Sequence, residues 1–136
     1  MKYFYEKTKI VQLKLVVMIF VISSLAACVA RPTQQQIESA DYGTYPQDYE
    51  DIIKTYMGNV LFDPYSAIYS NWSGPSKGYS GDRFTQVAYG YRVCVDINAK
   101  NRMGGYVGVQ KHYFLIHNRQ IIQRYDEILA KELCNL

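Results

Sequence analysis

Histidine is almost missing from this chain: His112 and His117 are the two present. Imidazole metal centres need ligands that converge, and a spacing of five places these two on opposite faces of a strand. No Cys, Asp and Glu cluster flanks them. No metal or other cofactor is expected. A basic excess is missing too, once the chain is divided at residue 27. Residues 1–27 hold four Lys and one Glu, and the remainder carries eleven basic and eleven acidic side chains. Nucleic-acid binding rests on neutralising phosphates, and a neutral domain offers no stripe for it. Gly104–Gly108 lacks the Lys-Ser/Thr of a phosphate loop and the spacing of a dinucleotide turn. There are no internal repeats and no sign of a second domain.

Long hydrophobic runs are also lacking. The longest uncharged apolar stretch, Leu15–Ala27, has 13 residues. As a helix it reaches about 20 Å, short of the roughly 30 Å hydrocarbon core of a bilayer. Four lysines precede it, and small residues close it. A basic start, a short apolar middle and a small-residue end describe a secretory signal peptide.

The stretch closes with Leu25-Ala26-Ala27-Cys28. This segment resembles the lipobox of bacterial lipoproteins. The resemblance implies a diacylglycerol on the Cys28 thiol, cleavage just before it and acylation of the new amino terminus. Each buried methylene contributes about 0.8 kcal/mol, so two or three chains hold a protein on a membrane where one holds only marginally. Position 29 is Val rather than Asp. In enterobacteria-like sorting this implies the outer membrane, periplasmic face.

Residues 28–136 number 109, the size of one domain, and include twelve Tyr. Tyr suits half-buried sheets and contact faces alike. Two cysteines remain besides Cys28. In an oxidising compartment Cys94 and Cys134 are expected to pair. Closing a loop of about 40 residues contributes roughly 4 kcal/mol in the chain-entropy account.

Residues 28–45 are polar and weakly periodic, and read as a lipidated terminus with a flexible tether. A single domain is expected over 46–136. Pro46, Asp48, Glu50 and Asp51 favour a helix start, and Tyr49, Ile52, Ile53 and Tyr56 share one face. Ala67–Ser70 reads as a short strand, and Gly74–Gly81 as a long loop. Gln86–Asn98 alternates over more than ten residues, with Val87, Tyr89, Tyr91, Val93, Val95 and Ile97 on one face. Tyr106–Ile116 reads as the next strand. Asn118-Arg119 falls where a two-residue hairpin loop belongs, and Gln120–Tyr125 is the return strand. Asp126 can cap a terminal helix to Leu133. The expected fold is α+β: a small antiparallel meander of three or four strands, with an N-terminal and a C-terminal helix packed on one face.

Chemistry is sparse. A triad of Ser80, His112 and Asp82 can be written on paper, as it can for most sequences. Asp63 and Asp82 are the carboxylates a glycoside-cleaving pair would use. Neither arrangement has support beyond its loop location, so no enzyme is expected. The most distinctive segment is Asn98-Ala99-Lys100-Asn101 followed by Gly104-Gly105-Tyr106-Val107-Gly108. It is similar to a segment of small uncharacterised proteobacterial envelope proteins, a likeness that carries no catalytic residue over. A demanding hairpin turn is the simpler reading, and a ligand-binding turn the other. Trp72 is either a loop anchor or core filling. The candidate contact residues are Trp72, Tyr79, Lys100, Arg102, Tyr106 and Tyr113.

The expected role is a non-enzymatic accessory subunit of an envelope assembly, bound to other envelope proteins, with a secretion-system outer-membrane complex as one instance. One rival is a lipid-anchored inhibitor or immunity protein with a single soluble partner. Another is a hydrolase acting on the cell wall.

Overall fold

The computed structural model describes residues 32–81 and 86–135. Helix α1 is Gln34–Ser39 and α2 is Tyr49–Gly58. Strands follow at β1 Asp63–Ser80, β2 Ala88–Lys100, β3 Gln110–His117 and β4 Gln120–Asp126, and helix α3 is Glu127–Cys134. The strands form one antiparallel sheet in the order β1-β2-β3-β4, the expected meander.

Alternation along β2 and β3 builds two cores. Val93, Val95 and Ile97, with Phe114 and Ile116, bury against Ile53 and Met57 of α2. Cys94, Tyr113 and Leu115 bury against Ala130 of α3 on the other face. The two helices therefore cover opposite faces, which corrects the expectation that both share one. Period two sorts odd from even residues of β2: the odd set is apolar, while on the even set Ala88 and Cys94 meet the α3 core and Arg92 and Asp96 stay half-buried. Each large side chain removed from water contributes about 1.5–3 kcal/mol.

Asn118 and Arg119 form the β3–β4 turn, both at positive φ (48° and 65°). That geometry matches the twist of a tight hairpin. Arg119 reaches from the turn to the Asp48 carboxylate with two hydrogen bonds, at 2.7 and 2.5 Å. Asp48 is the N-cap of α2, so the pair ties the hairpin to the helix start. At the other helix, Asp126 is the N-cap of α3 but makes no side-chain cap bond. Its carboxylate is held by Arg124 and by His112 Nδ1, the latter at 2.6 Å. The Cys94–Cys134 disulfide, expected from compartment and count, joins β2 to the end of α3.

Three stretches differ from the sequence reading. β1 runs for 18 residues where a four-residue strand and a long loop are expected. It is an edge strand, where Pro64 and Pro75 cost no ladder bond on a paired side. Register shifts around Ser73, beside Asn71 at φ 52°, let it bend. Residues 106–109 are not part of β3, and only Tyr106 forms a lone bridge to Lys100. The stretch read as tether is structured from Thr33. Thr33 and Gln36 form a reciprocal capping box on α1. Tyr42 is buried against Tyr89, ring centroids 5.8 Å apart. Cys28 and residues 1–27 lie outside the described residues.

Candidate partner-binding tip

The β2–β3 connection forms a rigid tip at one end of the sheet. Asn101 Oδ1 accepts from the amides of Met103 (2.9 Å) and Gly105 (3.1 Å). The Asn101 amide donates to the Gly105 carbonyl, and Val107 donates to Ala99. Asn98 Oδ1 accepts from the Gly108 amide at 3.1 Å. Gly104 and Gly108 take φ of 78° and 96°, conformations that glycine adopts without a steric penalty. The two Asn of the Asn-Ala-Lys-Asn segment thus satisfy backbone donors that a sheet would otherwise pair.

The tip also grips the start of β1. Tyr106 Oη donates to the Ser66 carbonyl at 3.2 Å, and the Lys100 amide donates to Ser66 Oγ at 3.3 Å. Lys100 Nζ lies 5.4 Å from the Tyr106 ring centre, and the Arg102 guanidinium 5.8 Å from that of Phe62. Cations held on ring faces keep their heads in water while their stems cover apolar surface.

What this scaffold displays is apolar. Tyr65 is 99% exposed and Met103 96%, with Phe62, Tyr106, Val107 and Val109 also exposed. Single exposed apolar residues need no explanation, but several on and beside one hydrogen-bonded loop make it a candidate contact surface. Its charges are Lys100, Arg102 and Asp63, a net positive rim. Rigidity matters because a preorganised loop loses little entropy on binding.

Of the six candidate contact residues, Lys100, Arg102 and Tyr106 come together here. Trp72 does not: it packs on the α2 core, stacked 5.8 Å from Tyr69 at an interplanar angle of 11°, which makes it core filling. Tyr79 is part-exposed at the opposite end of the sheet, paired with Tyr89. Tyr113 is 1% exposed, packed under α3 away from the tip. Burial, partly offset by Arg92, pushes its phenol up to about 12. Phe62, Met103, Val107 and Val109 escape a reading that looks for polar and Tyr anchors, and Tyr65 escapes it because Asp63-Pro64 beside it reads as a turn. Their signal is apolar residues in segments that also carry turn residues.

The hydrolytic arrangements are not assembled among the described residues. Ser80 Oγ donates to Tyr125 Oη at 3.1 Å, while His112 is engaged with Asp126 on the other face. Asp82 lies outside the described residues. Gly74-Pro75-Ser76-Lys77-Gly78 carries the letters of a nucleophile elbow, a match that a reading by loops passes over. Ser76 sits within β1 rather than on a strand-to-helix turn, and its hydroxyl accepts from Arg92 Nε at 2.9 Å. His117 Nδ1 bonds the Tyr89 carbonyl at 3.0 Å.

No family model, curated protein or solved structure matches the chain.

Proposed function

We propose that this protein is an outer-membrane lipoprotein, anchored through Cys28 and facing the periplasm, that serves as an accessory subunit of an envelope assembly. The observation that carries the reading is the rigid, apolar, positively rimmed tip and its place in the fold. Tyr42, close after α1, packs on Tyr89, at the start of β2. The tip begins eleven residues on, at Lys100, roughly 35 Å away at the rise of a strand. Cys28 precedes Pro32 by four residues, a reach of at most about 14 Å. The lipid would thus attach at the chain end that carries α1, and the tip lies at the other end of β2 from Tyr89. That arrangement favours a protein partner with an apolar, acid-rimmed surface, and the role needs no catalysis.

The test is mild extraction of native membranes, size separation and identification of co-migrating proteins. Co-migration with a very large envelope complex is the expected result. A stable one-to-one complex with a soluble protein would favour the inhibitor reading instead. Migration as a lone lipidated monomer would overturn both.

A further inference from the structure

A concave feature lies at the other end of the sheet from the tip. Gly78 of β1 and Gly90 of β2 face each other in the ladder, so no side chain rises from either strand there. Helix α1 has no buried residue of its own. It is held by its capping box and by Tyr42 Oη, which donates to the Ile37 carbonyl at 2.8 Å. Between α1, the β1 edge and the end of α3 lies a cleft of about 600 Å³. That volume is in the range of small-ligand sites.

The walls divide chemically. Ile37, Leu133 and the Tyr79 ring supply an apolar slot. Arg92 and Lys77 supply positive charge along the same cleft. The Arg92 stem lies over Gly78, where an added Cβ would meet it at 3.2 Å. Its Nε is fixed on Ser76 Oγ, so the guanidinium has a set orientation. Lys77 Nζ stands 4.9 Å from the Tyr42 ring centre. The one acidic lining residue is Glu38, whose carboxylate takes a hydrogen bond from Gln34 Nε2 along α1 at 2.9 Å.

We infer that this cleft binds an acidic single-chain amphiphile, its carboxylate or phosphate head on Arg92 and Lys77 and its hydrocarbon between Ile37, Tyr79 and Leu133. Two cations against one already-bonded carboxylate favour an anion, and an oriented guanidinium suits an oxyanion fork. A neutral polar ligand would leave the apolar slot unused. The inference is independent of the tip and of the role assigned to it.

The experiment adds lauric acid carrying a diazirine to membranes that contain the full chain, irradiates them and maps the labelled peptides. Adducts are expected on the peptides bearing Ile37, Tyr79 or Leu133. Unlabelled laurate should compete, and dodecanol at the same concentration should not. Lysophosphatidylglycerol competing better than laurate would assign a phosphate head, with inorganic phosphate as the head-only control. Replacing both cations, Lys77→Gln with Arg92→Gln, should lower labelling roughly tenfold, the loss of charge-assisted contacts. Lys54→Gln, on an exposed pair with Glu50, should leave it unchanged. Retention of the Cys94–Cys134 disulfide on a non-reducing gel checks the fold of each variant. Labelling spread evenly over the chain, equal competition by dodecanol, or full labelling of the double variant would each overturn the inference.

Discussion

Tyr106 donates its phenol to the carbonyl of Ser66, 40 residues earlier in the chain, at 3.2 Å. This bond closes the tip onto β1, and the Asn98 and Asn101 side chains hold the rest of the loop from within. Order in the tip is therefore a property of the free protein. Adding one methyl group in two places tests it. Gly104 has φ 78° and nothing within 4 Å of an added Cβ. Gly104→Ala should cost about 1–2 kcal/mol through the backbone alone, seen as faster hydrogen exchange at the Gly105 and Val107 amides. Gly58 of α2 also has open space around it, but at an ordinary helical φ. Gly58→Ala should raise stability by about 0.5–1 kcal/mol. Equal effects at the two sites would contradict the geometry.

The Cys94–Cys134 bridge closes 40 residues and fixes α3 on the sheet. Replacing both cysteines by Ala should lower unfolding free energy by about 4 kcal/mol on the chain-entropy account. Urea titration measures it. A shift below about 1 kcal/mol would mean that the Ala130 and Leu133 contacts hold α3 by themselves.

Acid should destabilise the domain in two stages. Burial pushes the His112 imidazole below its ordinary 6.5, and Asp126 offsets only part of that. An imidazole depressed in the fold takes up its proton more readily when the chain unfolds, so stability falls as pH drops through about 6.5. Burial raises the Asp96 and Asp126 carboxyls, but bonds to Lys111 and Asn71 at the first, and to Arg124 and His112 at the second, leave both below their ordinary 3.8. Their contribution is present above that value and is lost as pH falls below it. His112→Gln should remove the first stage and keep the second, as read from thermal midpoints between pH 8 and 3.

The anchor is tested at Cys28 itself. Cys28→Ser should abolish incorporation of radiolabelled palmitate and leave the chain uncleaved, visible as a slower band on a gel. Continued labelling would place the lipid elsewhere or refute it.

The sheet was legible where the pattern was strict. Val93, Val95 and Ile97 alternate with Cys94 and Asp96, and this fixes β2 and its two faces. Asn118-Arg119 is legible as a turn by its place between two strand patterns, although of the two only Asn favours the positive φ that both adopt. β1 was hidden by Pro64, Gly74, Pro75 and Gly78, which read as loop but are compatible with an edge. α1 was hidden by its polarity, although Thr33 followed three residues on by Gln36 is a capping-box signature. For the candidate contacts, spacing could not separate Tyr106 from Tyr113. Both fall in the stretch read as one strand, Tyr106–Ile116, and only the docking of α3 makes one of them core. The tip's apolar residues were legible as composition and not as a surface, because exposure depends on which strand starts beside them.

The tip is proposed to contact a protein partner in the envelope. Photo-crosslinking from position 103 tests it most directly, with an unnatural benzophenone residue replacing Met103 in the full chain and in native membranes. Position 128 on α3, also exposed, serves as the control site. One discrete protein adduct is expected from 103 and none of the same size from 128. No adduct from 103, or the same band from both positions, would contradict it.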